Sequence, residues 1–136
     1  MAAPAYLQRR GVPKAIDELD HDCLGGPGDA ERTNWTFSRA GKQEMISTPV
    51  RVRTASGAGL GACAVAGLGI AVASEWMRAE ELRDDRLTRI LDEYGLEPII
   101  AFVVFGSGQH PSRKTRAFAD YLIAVFNKRV SLAQFS

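Results

Sequence analysis

The spacing that most suggests chemistry in this chain is Gly57-x-Gly59-x-x-Ala62. It matches the permissive form of the glycine pattern that lets a dinucleotide pyrophosphate approach the N-terminus of a helix. Glu75 follows Gly57 by 18 residues, near the position from which an acidic side chain binds the ribose in such proteins. One hypothesis is therefore a small NAD(P)-dependent oxidoreductase with a degenerate version of this pattern.

Two features of the preceding segment argue against dinucleotide binding. Residues 50–54 alternate valine with arginine, which predicts a half-exposed strand, whereas a central strand of a dinucleotide-binding sheet is apolar throughout. Thr54-Ala55-Ser56 also separates that strand from Gly57. One weaker expectation remains for the helix that begins near Gly57. The free N–H groups at a helix N-terminus favour an anionic ligand of any kind.

Histidine and cysteine offer no further site. His21 and His110 are the two histidines, and they lie far apart and outside any metal-ligand spacing. Cys23 and Cys63 are 40 residues apart and form no CxxC pair, so we expect two free, buried thiols. The chain has neither a GxSxG elbow nor a Walker A motif. We therefore expect no metal, no cofactor and no catalytic residue in a protein that is not an enzyme.

The composition is that of an ordinary globular domain. With 136 residues, 46% apolar and 24% charged, the chain fits one domain and is neither disordered, collagen-like nor a coiled coil. The net charge of +1 draws it to neither nucleic acid nor a membrane. No apolar run approaches the ~20 residues that span a bilayer. Residues 1–11 lack the apolar core of a secretory signal, so we expect a cytoplasmic protein.

The hydrophobic spacing of the first half predicts strands that alternate with helices. A helix is expected from Pro4 and a short strand at Cys23-Leu24, followed by a hairpin of residues 35–39 and 44–46 and a separate strand at 50–54. Residues 55–74 then predict a crossover onto a parallel strand: Ser56 caps a helix, Gly67 ends it, and residues 70–73 form a buried strand.

The second half predicts two helices and two strands. We expect a helix at 75–82 capped by Ser74, a strand at 87–91, a buried strand at 99–105 and a helix that begins at Ser112. Strands alternating with helices indicate an α/β protein. The last helix carries one apolar stripe at helical spacing, which consists of Phe118, Tyr121, Leu122, Val125 and Phe126.

An ordered series of motifs resembles the effector-binding domain of LysR-type transcriptional regulators. The most recognisable is the run Ala-Gly-Leu-Gly-Ile-Ala within residues 65–71. The series also includes Trp35-Thr36-Phe37, Trp76-Met77, residues 86–91 and residues 115–122. The resemblance implies a type II periplasmic-binding-protein-like α/β fold, in which two subdomains hold a small effector in the cleft between them.

The resemblance also implies that the chain is a truncated effector-binding domain. Residues 1–126 would be the second subdomain with its closing strand and helix, and residues 127–136 a C-terminal tail. The sequence contains no winged helix-turn-helix and no basic recognition helix, so we expect no direct DNA binding by this chain. With half of the cleft missing, effector affinity should be weak or absent. Asp85 departs from the family, which usually has glycine there.

By the same resemblance, three segments would line the effector cleft. They would offer backbone N–H donors and the Ser56 hydroxyl to a small carboxylate, although a helix cap alone is the favoured interpretation of Ser56 over a direct ligand contact. The ligand-binding candidates are Leu24, Gly25, Thr54, Ala55, Ser56, Gly57, Ala73 and Ser74.

The stripe on the last helix predicts self-association. Burying one such side chain contributes ~1.5–3 kcal/mol, so five left exposed would favour self-association. We therefore expect a homo-oligomer in which the stripe is buried between subunits or folded back on the remaining sheet. A further alternative is an oligomerisation module that pairs with full-length regulators.

Overall fold

The computed structural model describes residues 1–19, 22–27, 31–96, 102, 104–105 and 112–133. The chain divides into two compact units, Met1–Glu97 and Pro98–Ser136. None of the helices within the described ranges is long and apolar enough to cross a membrane.

The first unit is built on a five-stranded mixed sheet with the order β4-β1-β3-β2-β5. The strands are β1 (Cys23–Gly25), β2 (Arg32–Arg39), β3 (Lys42–Arg53), β4 (Ile70–Ala71) and β5 (Gly95–Leu96). β1 pairs in parallel with β3 and β4, and β2 pairs antiparallel with β3 and β5. The hairpin and the parallel crossover predicted from the sequence are both confirmed, and so is the α/β class.

β3 is one continuous strand, whereas the sequence predicted two. Its residues 42–49 pair with β2, and Val50, Val52 and Arg53 pair with β1. Pro49, which has no N–H to donate, lies where the strand changes partner, and Val50 donates its N–H to the Glu31 carbonyl oxygen over 2.8 Å. The register shifts by one residue between Cys23 and Leu24.

The turns and helix ends of the first unit follow their local sequence signals. Ala40 and Gly41 both have positive φ, of 51° and 77°, as a tight hairpin turn requires. Helix α1 (Pro4–Arg10) carries proline at its start and is followed by a single 3₁₀ turn at Ile16–Glu18. Helix α2 (Gly57–Val65) ends in a Schellman motif: Gly67 has φ 70°, and Leu68 donates to the Cys63 carbonyl oxygen over 3.1 Å.

Two apolar clusters cover the two faces of the parallel strands. Neighbouring residues divide between the clusters, with Cys23 and Ile70 in the first and Leu24 and Ala71 in the second. Both faces of β1 and β4 are therefore buried, as the apolar run at residues 70–73 predicted for β4. The first cluster contains Tyr6 and Leu7 of α1 with Trp35 and Phe37 of β2, and the second contains Leu60 and Ala64 of α2 with Leu87.

The segment after β4 differs from its prediction. The expected helix at 75–82 is divided into a 3₁₀ turn at Glu75–Met77 and α3 (Ala79–Arg83), and Ser74 makes no side-chain cap bond. Residues 87–91 form no strand, and Thr88 pairs only with Ala2 in an isolated bridge. Asp85 and Leu91 have positive φ, of 54° and 60°, which interrupts an extended backbone on both sides of this stretch.

The second unit contains helix α4 (Arg113–Ala133), which begins after Ser112 as predicted. The Ser112 hydroxyl accepts a hydrogen bond from the Thr115 N–H over 3.2 Å, which caps the helix. The helix continues past residue 126, where the sequence predicted a tail, because neither proline nor glycine interrupts residues 113–133. The predicted strand at 99–105 and the loop at 106–111 lie largely outside the described residues, and Phe102, Val104 and Phe105 are exposed.

Candidate functional site at the carboxyl edge of the parallel strands

The predicted ligand-binding segments follow three parallel strands. Gly25 ends β1, Thr54 follows β3, and Ala73 and Ser74 come shortly after β4. Because parallel strands end at the same edge of a sheet, these segments lie along one border of the first unit. We call this border the carboxyl edge, which consists of Leu24, Gly25, Thr54, Ala55, Ser56, Gly57, Ala73 and Ser74.

Hydrogen bonds join the β1 and β3 parts of the carboxyl edge. Thr54 donates its N–H to the Gly25 carbonyl oxygen over 3.1 Å, and its hydroxyl donates to the Ser56 carbonyl oxygen over 3.1 Å. The Ser56 hydroxyl oxygen accepts the Gly59 N–H over 3.1 Å, so Ser56 is the N-cap of α2. A serine hydroxyl that accepts in this way still has a proton to donate, and Ser56 is exposed.

Leu24 and Gly25 are buried, which limits what they can offer a ligand. The Leu24 side chain is only 2% exposed and belongs to the second apolar cluster with Leu60. Its side chain stabilises the core, and only the backbone next to Gly25 remains near the edge.

A partly buried ion pair beside α2 was not predicted from the sequence. The Arg78 guanidinium donates one hydrogen bond to the Gly57 carbonyl oxygen and another to Glu81 Oε1 over 3.2 Å. The two side chains are only 11% and 18% exposed. Hydrogen bonding to its own backbone N–H and to Arg78 lowers the pKa of Glu81. The only sequence indication was that Gly57, Gly59 and Gly61 carry no side chains, which leaves room for another group to approach α2. It did not indicate which residue would approach.

The opposite edge of the same strands is organised around Asp22. Its carboxylate accepts a hydrogen bond from Arg51 over 2.7 Å, and Arg10 lies 3.9 Å away. Its N–H donates to the Tyr6 hydroxyl over 3.0 Å, and its carbonyl oxygen accepts the Ile70 N–H over 2.8 Å. Arg51 holds the pKa of Asp22 below its usual value. We call this group, namely Tyr6, Arg10, Asp22, Arg51 and Ile70, the amino edge.

The dinucleotide pattern lies at the predicted junction of strand and helix, but its acidic residue is already paired. Both carboxylate oxygens of Glu75 lie 3.2 Å from Nη1 of Arg89, so binding a ribose would have to displace this arginine. Burial raises the pKa of the Cys23 thiol, while Cys63 is partly buried, and both are free cysteines. His21 and His110 lie outside the described residues. Within the described ranges, no group of His, Cys, Asp or Glu side chains is arranged to hold a metal ion.

The comparison with protein families identifies the kind of domain. The family model described as the LysR substrate binding domain matches residues 1–127. This chain belongs to the LysR substrate-binding-domain family. The recognition from ordered motifs is thereby confirmed, including its extent along nearly the whole chain.

Curated relatives of this LysR domain are transcriptional regulators. An uncharacterized HTH-type transcriptional regulator of Haemophilus influenzae is 30% identical over 110 residues, which are 80% of this chain and 38% of that protein. The HTH-type transcriptional activator TtdR of Escherichia coli K12 is 28% identical over 131 residues, covering 95% of this chain and 42% of that protein. The LysR domain therefore spans about two fifths of the length of these relatives.

Solved structures agree on the fold. The regulatory domain of the C227S variant of AphB from Vibrio vulnificus matches with a TM-score of 0.75 and 26% identity, covering 90% of this chain and 62% of that one. The regulator CrgA from Neisseria meningitidis matches with a TM-score of 0.57 and 27% identity, covering 68% of this chain and 31% of that one. The LysR domain thus corresponds to part of a type II periplasmic-binding-protein-like regulatory domain.

Proposed function

We propose that this chain is the effector-binding part of a LysR-type transcriptional regulator, and that its carboxyl edge binds a small carboxylate-bearing effector. The observation that carries the proposal is the meeting of β1, β3 and β4 at one edge in a chain that matches the LysR substrate binding domain. Its relatives' names also favour a regulator over an oxidoreductase.

The chemistry of the carboxyl edge suits an anion. The first turn of α2 presents N–H groups that the helix itself does not use, and its dipole places about half a positive charge there. None of the eight edge residues is acidic. The Met77 side chain, which is half-exposed, lies 3.8 Å from where a side chain on Gly57 would begin. An effector with an anionic head and a small apolar body therefore fits the edge.

The affinity of the isolated chain should be low. A binding pocket normally encloses about 70–90% of a small ligand, and one edge cannot do so. This chain covers 62% of the AphB regulatory domain, so a large part of such a domain has no counterpart here. We expect millimolar binding, and micromolar binding of a small acid by the isolated chain would contradict this expectation.

An amide-detected NMR titration tests the binding proposal with benzoate as the probe and benzamide as its uncharged control. We expect benzoate to shift the amide signals of Ser56, Gly57 and Gly59 and benzamide to leave them unchanged. Equal shifts with both compounds, or shifts outside the carboxyl edge, would argue against an anion site there. Melting with NADP in parallel tests the oxidoreductase alternative, which a rise in Tm would favour.

Self-association is the second part of the proposal. Phe118 and Tyr121 on α4 are 61% and 64% exposed, and Phe126 of the same stripe is also exposed. Apolar surface of this kind favours a homo-oligomer in which the stripe is covered by a second copy. Sedimentation should show a species heavier than 14.8 kDa, and Phe118→Lys should convert it to monomer. Asp120→Lys, on the same helix but outside the stripe, is the matched control. A monodisperse wild-type monomer would contradict self-association.

The remaining parts of the proposal concern the whole regulator. We assign DNA binding to a part of the protein outside this chain, since the matched family model is the effector-binding one. The regulator would act in the cytoplasm, where the DNA is. The purified chain should not be retained on a column of immobilised DNA at physiological salt. Salt-dependent retention would contradict the assignment.

A further inference from the structure

Arg78 contacts α2 through a largely desolvated guanidinium with two defined acceptors, unlike an exposed surface ion pair. The guanidinium lies between the Gly57 carbonyl oxygen and the Glu81 carboxylate, and it donates to both. Its Nε is fully buried and has no hydrogen-bond partner among the described residues. Removing a guanidinium from water is costly unless partners compensate, so this cation is held in one place by Gly57 and Glu81.

Gly61 is the residue that admits the guanidinium. A side chain built on Gly61 would overlap the guanidinium carbon and Nη1 of Arg78 and would come within 2.8 Å of Nε. Any residue larger than glycine would therefore displace the cation from α2. Glycine within a helix is otherwise unfavourable compared with alanine, so the space at Gly61 is explained by the side chain that occupies it.

The Arg78 backbone belongs to the segment that follows β4. Its N–H donates to the Glu75 carbonyl oxygen over 2.9 Å, and its carbonyl oxygen accepts the Leu82 N–H over 2.9 Å. The same residue thus ends the 3₁₀ turn, begins α3 and binds the first turn of α2 through its side chain. A displacement of α3 would be transmitted to Gly57.

We infer that Arg78 is a positioning residue, which fixes the first turn of α2 against α3 through the Gly57 carbonyl oxygen and the space at Gly61. The meaning of this role for effector binding rests on the proposed function, because Gly57 is part of the carboxyl edge. The positioning itself does not, and it is measurable without any ligand.

Amide hydrogen exchange separates local positioning from general stabilisation. In Arg78→Met, the amides of Leu60 and Gly61 should lose about tenfold more protection than the amides of the β2–β3 hairpin, because only the first turn of α2 loses its partner. Arg78→Lys should recover less than half of the loss, since an ammonium cannot donate in the same fork to Gly57 and Glu81. An equal loss at all amides, or full recovery with lysine, would overturn the positioning role.

A double-mutant cycle tests the pairing of Arg78 with Gly61. In the wild type, Gly61→Ala should lower the Tm by about 5 °C, because the methyl group displaces the guanidinium. In the Arg78→Ala background the same change should raise the Tm by about 2 °C, since alanine then only improves the helix. The same sign in both backgrounds would overturn the pairing. If Gly61→Ala alone does not fold, the double variant still decides the pairing: recovery of folding on removal of Arg78 would support it, and failure to recover would overturn it.

The benzoate titration connects the two proposals. If Arg78 positions the edge, the benzoate shifts at Gly57 and Gly59 should be lost in Arg78→Met and kept in Arg86→Met, whose arginine is exposed and paired with Asp84. Loss of the shifts in both variants, or in neither, would contradict the role of Arg78 in binding. If the wild type itself shows no benzoate shift, the proposed anion site fails, while the exchange and melting results still decide the positioning role.

Discussion

The amino edge and the carboxyl edge lie at opposite ends of the same strands but find their hydrogen-bond partners differently. At the amino edge, Asp22 binds Tyr6, Arg51 and Ile70, which lie between 16 and 48 residues away in the chain. At the carboxyl edge, Ser56 binds Gly59 and Thr54 binds Ser56 within three residues, beside the two long-range bonds from Thr54 to Gly25 and from Arg78 to Gly57. The named hydrogen bonds of the amino edge are all tertiary contacts, whereas those of the carboxyl edge combine tertiary contacts with bonds inside the loop at residues 54–59.

This difference separates stability from binding. Groups that depend on distant partners cannot change without disturbing the fold, whereas a loop that satisfies itself can vary and can exchange a bond for a ligand. The amino edge should therefore respond strongly in unfolding experiments. The carboxyl edge should respond weakly in unfolding and strongly in ligand binding.

The largest effect is expected for Gly69→Ala. A methyl group on Gly69 would overlap the Asp22 carbonyl oxygen, so β4 would have to move and lose the bond from Ile70. We expect the free energy of unfolding in urea to fall by about 3 kcal/mol. Gly57→Ala, whose methyl group meets only Met77 at 3.8 Å, is the matched control and should cost far less. Equal costs for the two glycines would break the comparison between the edges.

Tyr6→Phe should have the next largest effect. The change removes the acceptor of the Asp22 N–H and leaves the fully buried ring in place. A partly buried N–H without its partner costs about 1–2 kcal/mol, which urea unfolding can measure. Tyr121→Phe, at an exposed position of α4, should change the unfolding free energy by less than about 0.5 kcal/mol. A silent Tyr6→Phe would show that the amino edge does not depend on this contact.

Ser56→Ala tests the carboxyl edge. Loss of the cap on the Gly59 N–H should cost about 1 kcal/mol or less, because the position is exposed and water can replace the hydroxyl. Ser56→Asn keeps an acceptor at the same place and should restore the wild-type unfolding free energy. A loss of unfolding free energy larger than that of Tyr6→Phe would show that the carboxyl edge contributes more to stability than the amino edge, against the expectation.

The smallest effect is expected from the pH dependence of Asp22. Arg51 lowers the pKa of Asp22 from its usual value of 3.8, so the ionised carboxylate stabilises the folded state above that pH. This contribution is lost as the pH falls through the lower folded-state pKa. The Tm difference between the wild type and Asp22→Asn should accordingly be present at about pH 7 and shrink in acid. A difference that does not change with pH would contradict the lowered pKa of Asp22 in the folded protein.

Much of the local structure followed from the sequence, because the relevant signals lie within a few residues. Ser56 and Gly67 predicted the limits of α2, and Ala40-Gly41 predicted the hairpin turn. The prediction of a strand at 87–91 was wrong, since this segment is irregular chain in which Leu87 is buried, Ile90 and Leu91 are partly buried, and Thr88 alone pairs with Ala2. Apolar spacing reports burial, but in a short stretch it does not distinguish a strand from an irregular segment.

For the candidate site, the sequence predicted a location in the fold but not the side-chain contacts found there. Parallel strands separated by a helix imply a carboxyl edge, and the candidate residues along it were assigned by the resemblance to the LysR effector-binding domain. Arg78 was not predictable, because its interaction with Gly57 joins residues 21 apart and has no local pattern. The glycine at position 61 indicated that something approaches α2 but not what approaches it.

The sequence by itself determined the α/β class, the helix limits around α2, the order of strands and helices up to β4 and the family. These follow from turn residues, caps and periodicity that act over one or two turns of chain. The tertiary structure alone decided where β3 changes partner, how Asp22 gathers its contacts and that Arg78 lies in the space at Gly61. Each of these features joins residues that are distant in the chain, and several other residues have the same chemistry as the partner that is used. Tertiary packing selects the partner, and no local sequence pattern indicates it.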